Sequence, residues 1–221
     1  MGRSVRGDAV LLCVRPGGGS WRSNVHARRI AAGGLLTEAC LRQVITVDGN
    51  RLTRGPVPAE GALGALAGQI ESEPRPRKIF EWSRGLEPWA LGAVVRELSV
   101  AGIAAPASSR LLGVVPQAGL DILDLQAQEE AAQAVRDIVA GSGNPSHEAA
   151  LVALLLGAAG DLKYQVPGAA WPLLSFWSAR PRRHVRWRLR QLREGLPDGP
   201  REVIRVYEKY STQAQRYDSA G

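Results

Sequence analysis

The distribution of arginine is the feature of this sequence that most clearly suggests a chemical role. Residues 180–193, RPRRHVRWRLRQLR, hold seven arginines and no acidic residue. The chain has 28 Lys plus Arg and 21 Asp plus Glu, so this one segment accounts for the whole net charge of +7. A guanidinium donates paired hydrogen bonds to phosphate oxygens. Such a cluster indicates binding to nucleic acid, an anionic membrane surface or an acidic partner.

The arginine segment is predicted to form an amphipathic helix over about 182–194. At about 100° per residue, a narrow apolar face adjoins a basic stripe, and Trp187 lies beyond that stripe. Indole rings suit the headgroup region of a membrane, which favours an interface. The alternative is a solvated outer face of a C-terminal bundle. The apolar positions are Val185, Leu189, Leu192 and Leu196, and the basic surface comprises Arg182, Arg186, Arg190 and Arg193.

Residues for catalysis or metal binding are not grouped in this sequence. It has no Walker loop, G-x-S-x-G or H-E-x-x-H motif. Its two cysteines, Cys13 and Cys40, lie in apolar runs, and the three histidines are scattered, so no zinc-ligand spacing exists. We therefore expect a protein that is not an enzyme, has no metal or cofactor, and keeps both cysteines as buried free thiols.

The elements that must position the arginine segment are predicted to be mainly α-helical. The longest uncharged apolar stretch, 149–160, has 12 residues, whereas a membrane span needs about 20, so it predicts a core helix. One hairpin is predicted over 43–53 with Asp48-Gly49 as its type I′ turn, and a second over 102–115 with its turn at 107–109. Helices are predicted over 24–42, 60–72, 125–140, 146–157, 182–194 and 200–210, with a short helix near 79–82 and another that begins around Pro88 and ends at Gly102.

Four stretches of the chain carry a resemblance to a known family. In order and spacing they resemble the Golgi phosphoprotein 3 family, which has many bacterial members. The resemblance implies a single domain over 1–221: a helix-bundle core at about 8–165, wrapped by amphipathic helices, with two hairpins and basic C-terminal helices at about 180–210. The stretches are AAGGLLTEACLRQVITVDGNRL (31–52), SEPRPRKIFEW (72–82), VVRELSVAGIAAPASSRLLGVVP (94–116) and VRDIVAGSGNPSHEAALVALLLGAAGDL (135–162).

The resemblance also implies a function at a membrane. Eukaryotic members bind phosphatidylinositol 4-phosphate in a shallow basic pocket, insert a hydrophobic hairpin, self-associate, and act as adaptors for the cytosolic tails of membrane enzymes. For this chain it implies a cytoplasmic protein on the inner face of a membrane, with anionic lipids, such tails and further copies of the same chain as candidate partners. The residues carried over are Trp21, Arg28, Arg29 and Arg84 for the headgroup, and Leu111, Leu112, Val114 and Val115 for the membrane hairpin.

The phosphoinositide pocket is incomplete in this sequence. The family's three pocket arginines fall on Ala32, Pro88 and Leu91, while the arginines carried over are their neighbours. We therefore expect general binding to anionic phospholipids rather than strict recognition of one phosphoinositide.

Two other functions fit parts of the sequence. A helix followed by a hairpin is the pattern of a winged helix, and the basic segment could follow nucleic-acid phosphates. The helix before the second hairpin, LGAVVRELSV, has only Arg96 as a base, where a reading helix would carry more, so no nucleic acid is expected. The third candidate is a protein adaptor with no lipid role.

Overall fold

The computed structural model describes residues 4–16, 18–107, 110–111, 115–116, 119–142, 145–166 and 183–218. This part of the chain is mainly α-helical with small antiparallel sheets, as the sequence predicts. The helices are α1 (Val5–Leu11), α2 (Asn24–Leu41), α3 (Gly61–Ser72), α4 (Ile79–Val100), α5 (Leu125–Ala140), α6 (His147–Ala159), α7 (Arg183–Glu194) and α8 (Asp198–Asp218), with a 3₁₀ turn at Leu162–Tyr164. The strands are β1 (Gly19–Ser20), β2 (Ile45–Asp48), β3 (Arg51–Arg54), β4 (Ala104–Pro106), β5 (Arg110–Leu111), β6 (Val115–Pro116) and β7 (Gly119–Ile122).

Helix α2 lies at the centre of the bundle and is buried along most of its length. It packs against α1, α4, α6 and α8. Small residues permit this close packing: a Cβ atom on Gly33 would lie 2.7 Å from Leu155 Cδ2 and 2.8 Å from Tyr207 Cε2. Ser23 caps the helix by accepting a hydrogen bond from the His26 backbone N–H, which satisfies one of the free donors at the helix start.

An ion-pair network centred on the buried Glu38 links α1, α2 and α4. Arg6 lies 2.7 Å from both Glu38 of α2 and Glu97 of α4, and Arg42 lies 2.7 Å from Glu38. Near the other end of the pair, Arg29 Nε of α2 lies 3.5 Å from Glu87 Oε1 of α4. Glu38, late in α2, is linked through Arg6 to Glu97, late in α4, and Arg29 lies earlier in α2 beside Glu87, which lies earlier in α4. The two helices therefore run in the same direction.

Pro88 lies inside one continuous helix, so the prediction of a separate helix beginning there is wrong. Helix α4 runs from Ile79 to Val100 and contains both the predicted short helix and the following one. A proline in a helix interior removes one backbone donor, and its ring crowds the carbonyl four residues earlier. Packing of the long apolar stripe, which includes the buried Leu86, Ala90 and Val94, outweighs this cost.

The two hairpins differ in detail from the predicted ones. In the first, Asp48 pairs with Arg51, so the turn is Gly49–Asn50 rather than Asp48-Gly49. Positive φ occurs at Gly49 (58°) but not at Asn50, which is the pattern of a type II′ turn and not of type I′.

The second hairpin is longer than predicted. Strand β4 pairs with β7, not with 110–115, and β5 pairs with β6 further out. Strand β1 adds to the other edge of β7, which gives the sheet order β1-β7-β4. The base of the hairpin is therefore joined to the loop that precedes α2.

The predicted helices 24–42, 60–72, 125–140, 146–157 and 182–194 are confirmed within one or two residues at most ends. Helix α8 is longer than the predicted 200–210 and runs from Asp198 to Asp218. Cys13 and Cys40 are free and buried, as predicted. None of the described helices is long and apolar enough to cross a membrane.

Candidate anion-binding surfaces

The parallel packing of α2 and α4 brings three of the predicted headgroup residues to one end of the bundle. Trp21 lies in the loop just before α2 and Arg28 in the second turn of that helix, while Arg84 lies in the second turn of α4, three residues before Glu87. The contact between Arg29 and Glu87 places these two helix starts side by side. Arg28 and Arg84 are both exposed, so their charges are available to a ligand.

Trp21 connects this end of the bundle to the second hairpin. It forms an isolated bridge with Val14 and packs, half-buried, against both parts of the hydrophobic core. The residue before it, Ser20, pairs with Gly119 at the start of β7. In the hairpin itself Leu111 pairs with Val115, while Leu112 and Val114 lie outside the described residues.

Arg29 has a different environment from Arg28. It is 8 % exposed, and its guanidinium lies beside Glu87, whose Oε1 also accepts a hydrogen bond from the Tyr210 hydroxyl. Burial, reinforced by Glu87, raises the pKa of Tyr210 to about 12. Arg29 thus belongs to an internal polar cluster, which leaves Arg28 as the cation of this turn that faces solvent.

Helix α7 presents an exposed basic face. Its apolar positions Val185 and Leu192 are buried, and Arg188 Nε donates to the Ile138 carbonyl at 3.0 Å, so the helix is anchored on the bundle. The outer positions form a strip that we call the α7 basic face, and Trp187 beside them is 61 % exposed. Its members are Arg183, Arg186 and Arg190.

The arginines of this segment differ in whether they form ion pairs. Within the part of the chain that the structure describes, no carboxylate forms an ion pair with Arg183, Arg186 or Arg190. Arg193 is half-buried and pairs with Glu208 at 2.6 Å. Arg182 lies outside the described residues, and Arg183 is a member of the face that the sequence prediction omitted.

A second cationic group, beside Trp21 at the end of the bundle where α2 begins, was not predicted from the sequence. Arg22 Cζ lies 4.8 Å from the centre of the Tyr164 ring, and Lys163 Nζ lies 4.9 Å from the same centre. The two cations are far apart in the sequence and share no periodic pattern. Only the fold, which places the turn after α6 beside the loop before α2, brings them together.

The family model for Golgi phosphoprotein 3 (GPP34) matches residues 7–205 of the chain. The chain belongs to the Golgi phosphoprotein 3 family. The matched region includes α2, α4, the second hairpin and α7, which are the elements that carry the surfaces described above. No curated protein matches the chain. Among the described residues, no group of three or more His, Cys, Asp or Glu side chains could hold a metal ion.

Proposed function

We propose that this member of the Golgi phosphoprotein 3 family is a peripheral membrane protein that binds anionic phospholipid headgroups and serves as a non-enzymatic adaptor. The observation that carries the proposal is the α7 basic face. Its three exposed arginines have no carboxylate partner among the described residues, and an exposed tryptophan lies beside them. A basic amphipathic helix of this kind is typical of a segment that lies on an anionic membrane surface.

The strength of the interaction can be estimated from the number of free cations. A basic residue near an anionic leaflet contributes about 1 kcal/mol. Three arginines therefore contribute about 3 kcal/mol, or roughly a hundredfold in affinity. An interfacial Trp187 adds apolar contact. Together these give reversible attachment without a stereospecific pocket.

The end of the bundle that carries Trp21, Arg28 and Arg84 supplies a second proposed contact. It lies beside the hairpin whose predicted membrane residues include Leu111 and Val115. The family's pocket arginines fall on positions of this chain that hold no charge, so we favour general anionic-lipid binding over recognition of phosphatidylinositol 4-phosphate alone. The proposed location is the inner, cytoplasmic face of a membrane, with cytosolic tails of membrane proteins as the adaptor's cargo.

Liposome co-sedimentation tests the proposal. Vesicles would be neutral, contain a generic anionic lipid, or contain phosphatidylinositol 4-phosphate, each at about 50 and about 300 mM salt, because salt screens exposed charges. We expect binding to both anionic compositions at low salt and loss at high salt. The variant R183Q/R186Q/R190Q is expected to bind roughly a hundredfold more weakly.

A matched control removes the same net charge from elsewhere. Arg54, Arg136 and Arg205 each pair with a glutamate, so R54Q/R136Q/R205Q changes the net charge equally but leaves the α7 basic face intact. An equal loss in both variants would show that net charge, and not this face, drives binding. Absence of binding to every vesicle would overturn the proposal, and a gel shift with random duplex at low salt would then favour a nucleic-acid role.

A further inference from the structure

Two segments of the chain bring a pair of cations onto one aromatic ring. Arg22 precedes α2, Lys163 and Tyr164 follow α6, and both cationic groups lie within 5 Å of the Tyr164 ring centre. The ring is 47 % exposed, so the group lies at the surface. We propose that Arg22, Lys163 and Tyr164 form a phosphate-binding site, which we call the Tyr164 site.

Neither cation of the Tyr164 site forms an ion pair within the described part of the chain. The carboxylate of Asp161, two residues before Lys163, is buried and lies 2.9 Å from His26 Nδ1. Arg22 Nε is buried and donates to no acceptor among the described residues. Both cations lie within 5 Å of one ring centre, and like charges repel each other. A bound anion would reduce this repulsion.

The site is held in place from both sides. The Arg22 backbone N–H donates to the Cys13 carbonyl at 2.9 Å, directly beside the bridge between Val14 and Trp21. On the other side, Gln165 Nε2 donates to the carbonyl of Leu12 at 2.9 Å. The two segments that carry the cations are therefore joined to each other, and little rearrangement is needed to bind a ligand.

The donor set suits a phosphate monoester. Arginine offers two parallel N–H donors, lysine a compact charge with three donors, and the tyrosine hydroxyl one more. Such charge-assisted hydrogen bonds are among the strong ones. The phosphate could be carried by a lipid headgroup or be free in solution. Only the assignment of the phosphate to a lipid headgroup depends on the proposed function.

Lysine labelling tests the site directly, because the chain has only three lysines: Lys78, Lys163 and Lys209. The full-length protein with ¹³C-lysine would be titrated by NMR with inorganic phosphate, with glycerol phosphate, and with vesicles containing phosphatidylinositol 4-phosphate. Sodium chloride serves as the ionic-strength control. We expect the Lys163 signal to move to saturation with phosphate, while the other two follow ionic strength only.

Variants separate the site from general charge effects. R22Q is expected to weaken phosphate binding at Lys163 at least tenfold, and R22K to retain part of it, while circular dichroism checks folding. Arg15 lies in the same loop and is exposed, so R15Q removes an equal charge as the matched control. A Lys163 signal that behaves like those of Lys78 and Lys209 would overturn the site.

The outcomes also distinguish this site from the proposed function. Vesicle binding that depends on the α7 basic face, with no Lys163 response to any phosphate, refutes the Tyr164 site and leaves the proposed function standing. A saturable response to inorganic phosphate in a protein that binds no vesicle refutes the proposed function and supports a site for free phosphate. Responses to all three probes support a headgroup site.

Discussion

Replacement of Glu38 tests how much the ion-pair network around this buried carboxylate contributes to the stability of the fold. Glu38 is 1 % exposed in its side chain and lies 2.7 Å from both Arg6 and Arg42, and its other oxygen accepts from the Arg6 backbone N–H at 3.1 Å. Glu38→Gln keeps the shape and an acceptor but removes the charge. Glu38→Ala removes the acceptor as well.

The expected loss of unfolding free energy depends on the contacts that Arg6 and Arg42 retain after the substitution. Removing one partner of a buried ion pair costs about 3–5 kcal/mol when the other is left uncompensated. Arg6 keeps its contact with Glu97, and Arg42 is 48 % exposed in its side chain and can turn to water. We therefore expect the lower bound, about 3 kcal/mol, for Glu38→Gln. Glu38→Ala adds about 1–3 kcal/mol for the unsatisfied Arg6 N–H.

Urea denaturation followed by circular dichroism measures these differences in the free energy of unfolding. The control is Glu129→Gln, which breaks the pair with Arg136 at a surface where Glu129 is 71 % exposed in its side chain, and where a loss of no more than about 1 kcal/mol is expected. If Glu38→Gln proves no more destabilising than this control, the network contributes no more than an exposed ion pair, and our account of it is wrong.

Three further predictions concern packing and titration. Gly33→Ala is expected to destabilise the fold by about 1–3 kcal/mol, because its Cβ would overlap Tyr207. Gly85→Ala, on an open face of α4, should instead stabilise the fold by about 0.5–1 kcal/mol. Equal stabilities of the two variants in urea titration would contradict this. Burial raises the pKa of the Cys40 thiol to about 12, so alkylation near pH 8 should require denaturant, and rapid labelling of the native protein would refute it. Burial and a neighbouring carboxylate raise the pKa of Tyr210 from its ordinary value of 10.0 to about 12, so its contribution to stability is complete below about pH 10 and is lost towards pH 12. Tyr210→Phe should therefore reduce the loss of unfolding free energy between these pH values, measured by urea titration at each pH. An unchanged dependence of stability on pH would count against this.

Helices with a strong apolar period could be predicted from the sequence because local spacing and caps determine them. The start of α5 is fixed by Asp124, which accepts from the Ala127 N–H, and its end by Gly141 with φ of 83°. The prediction that a helix begins at Pro88 was wrong because the preference of proline for the first helical turn is a local one. The packing of the whole α4 stripe against α2 is a tertiary effect that local preference does not include.

A candidate surface could be predicted from the sequence only where all of its residues lie on one helix. The α7 basic face follows from a single helix, so the positions of Arg186 and Arg190 could be read from the sequence. The burial of Arg29 depends on Glu87 and Tyr210, which lie on two other helices. No spacing rule relates these three residues, since their proximity depends on how three helices pack.

The pocket positions implied by the family resemblance show why ligand binding need not follow sequence position within one fold. Ala32, where the family has an arginine, is fully buried between helices, so a cation there could not reach a ligand in this packing. Arg28 lies one turn earlier and is exposed, and Arg22 and Lys163 lie at the edge of the same bundle end. Cations spread over an edge can bind phosphate by charge, but they do not enclose a headgroup. For the lipid binding proposed above, we therefore expect affinity for anionic lipids in general, with little discrimination among headgroups.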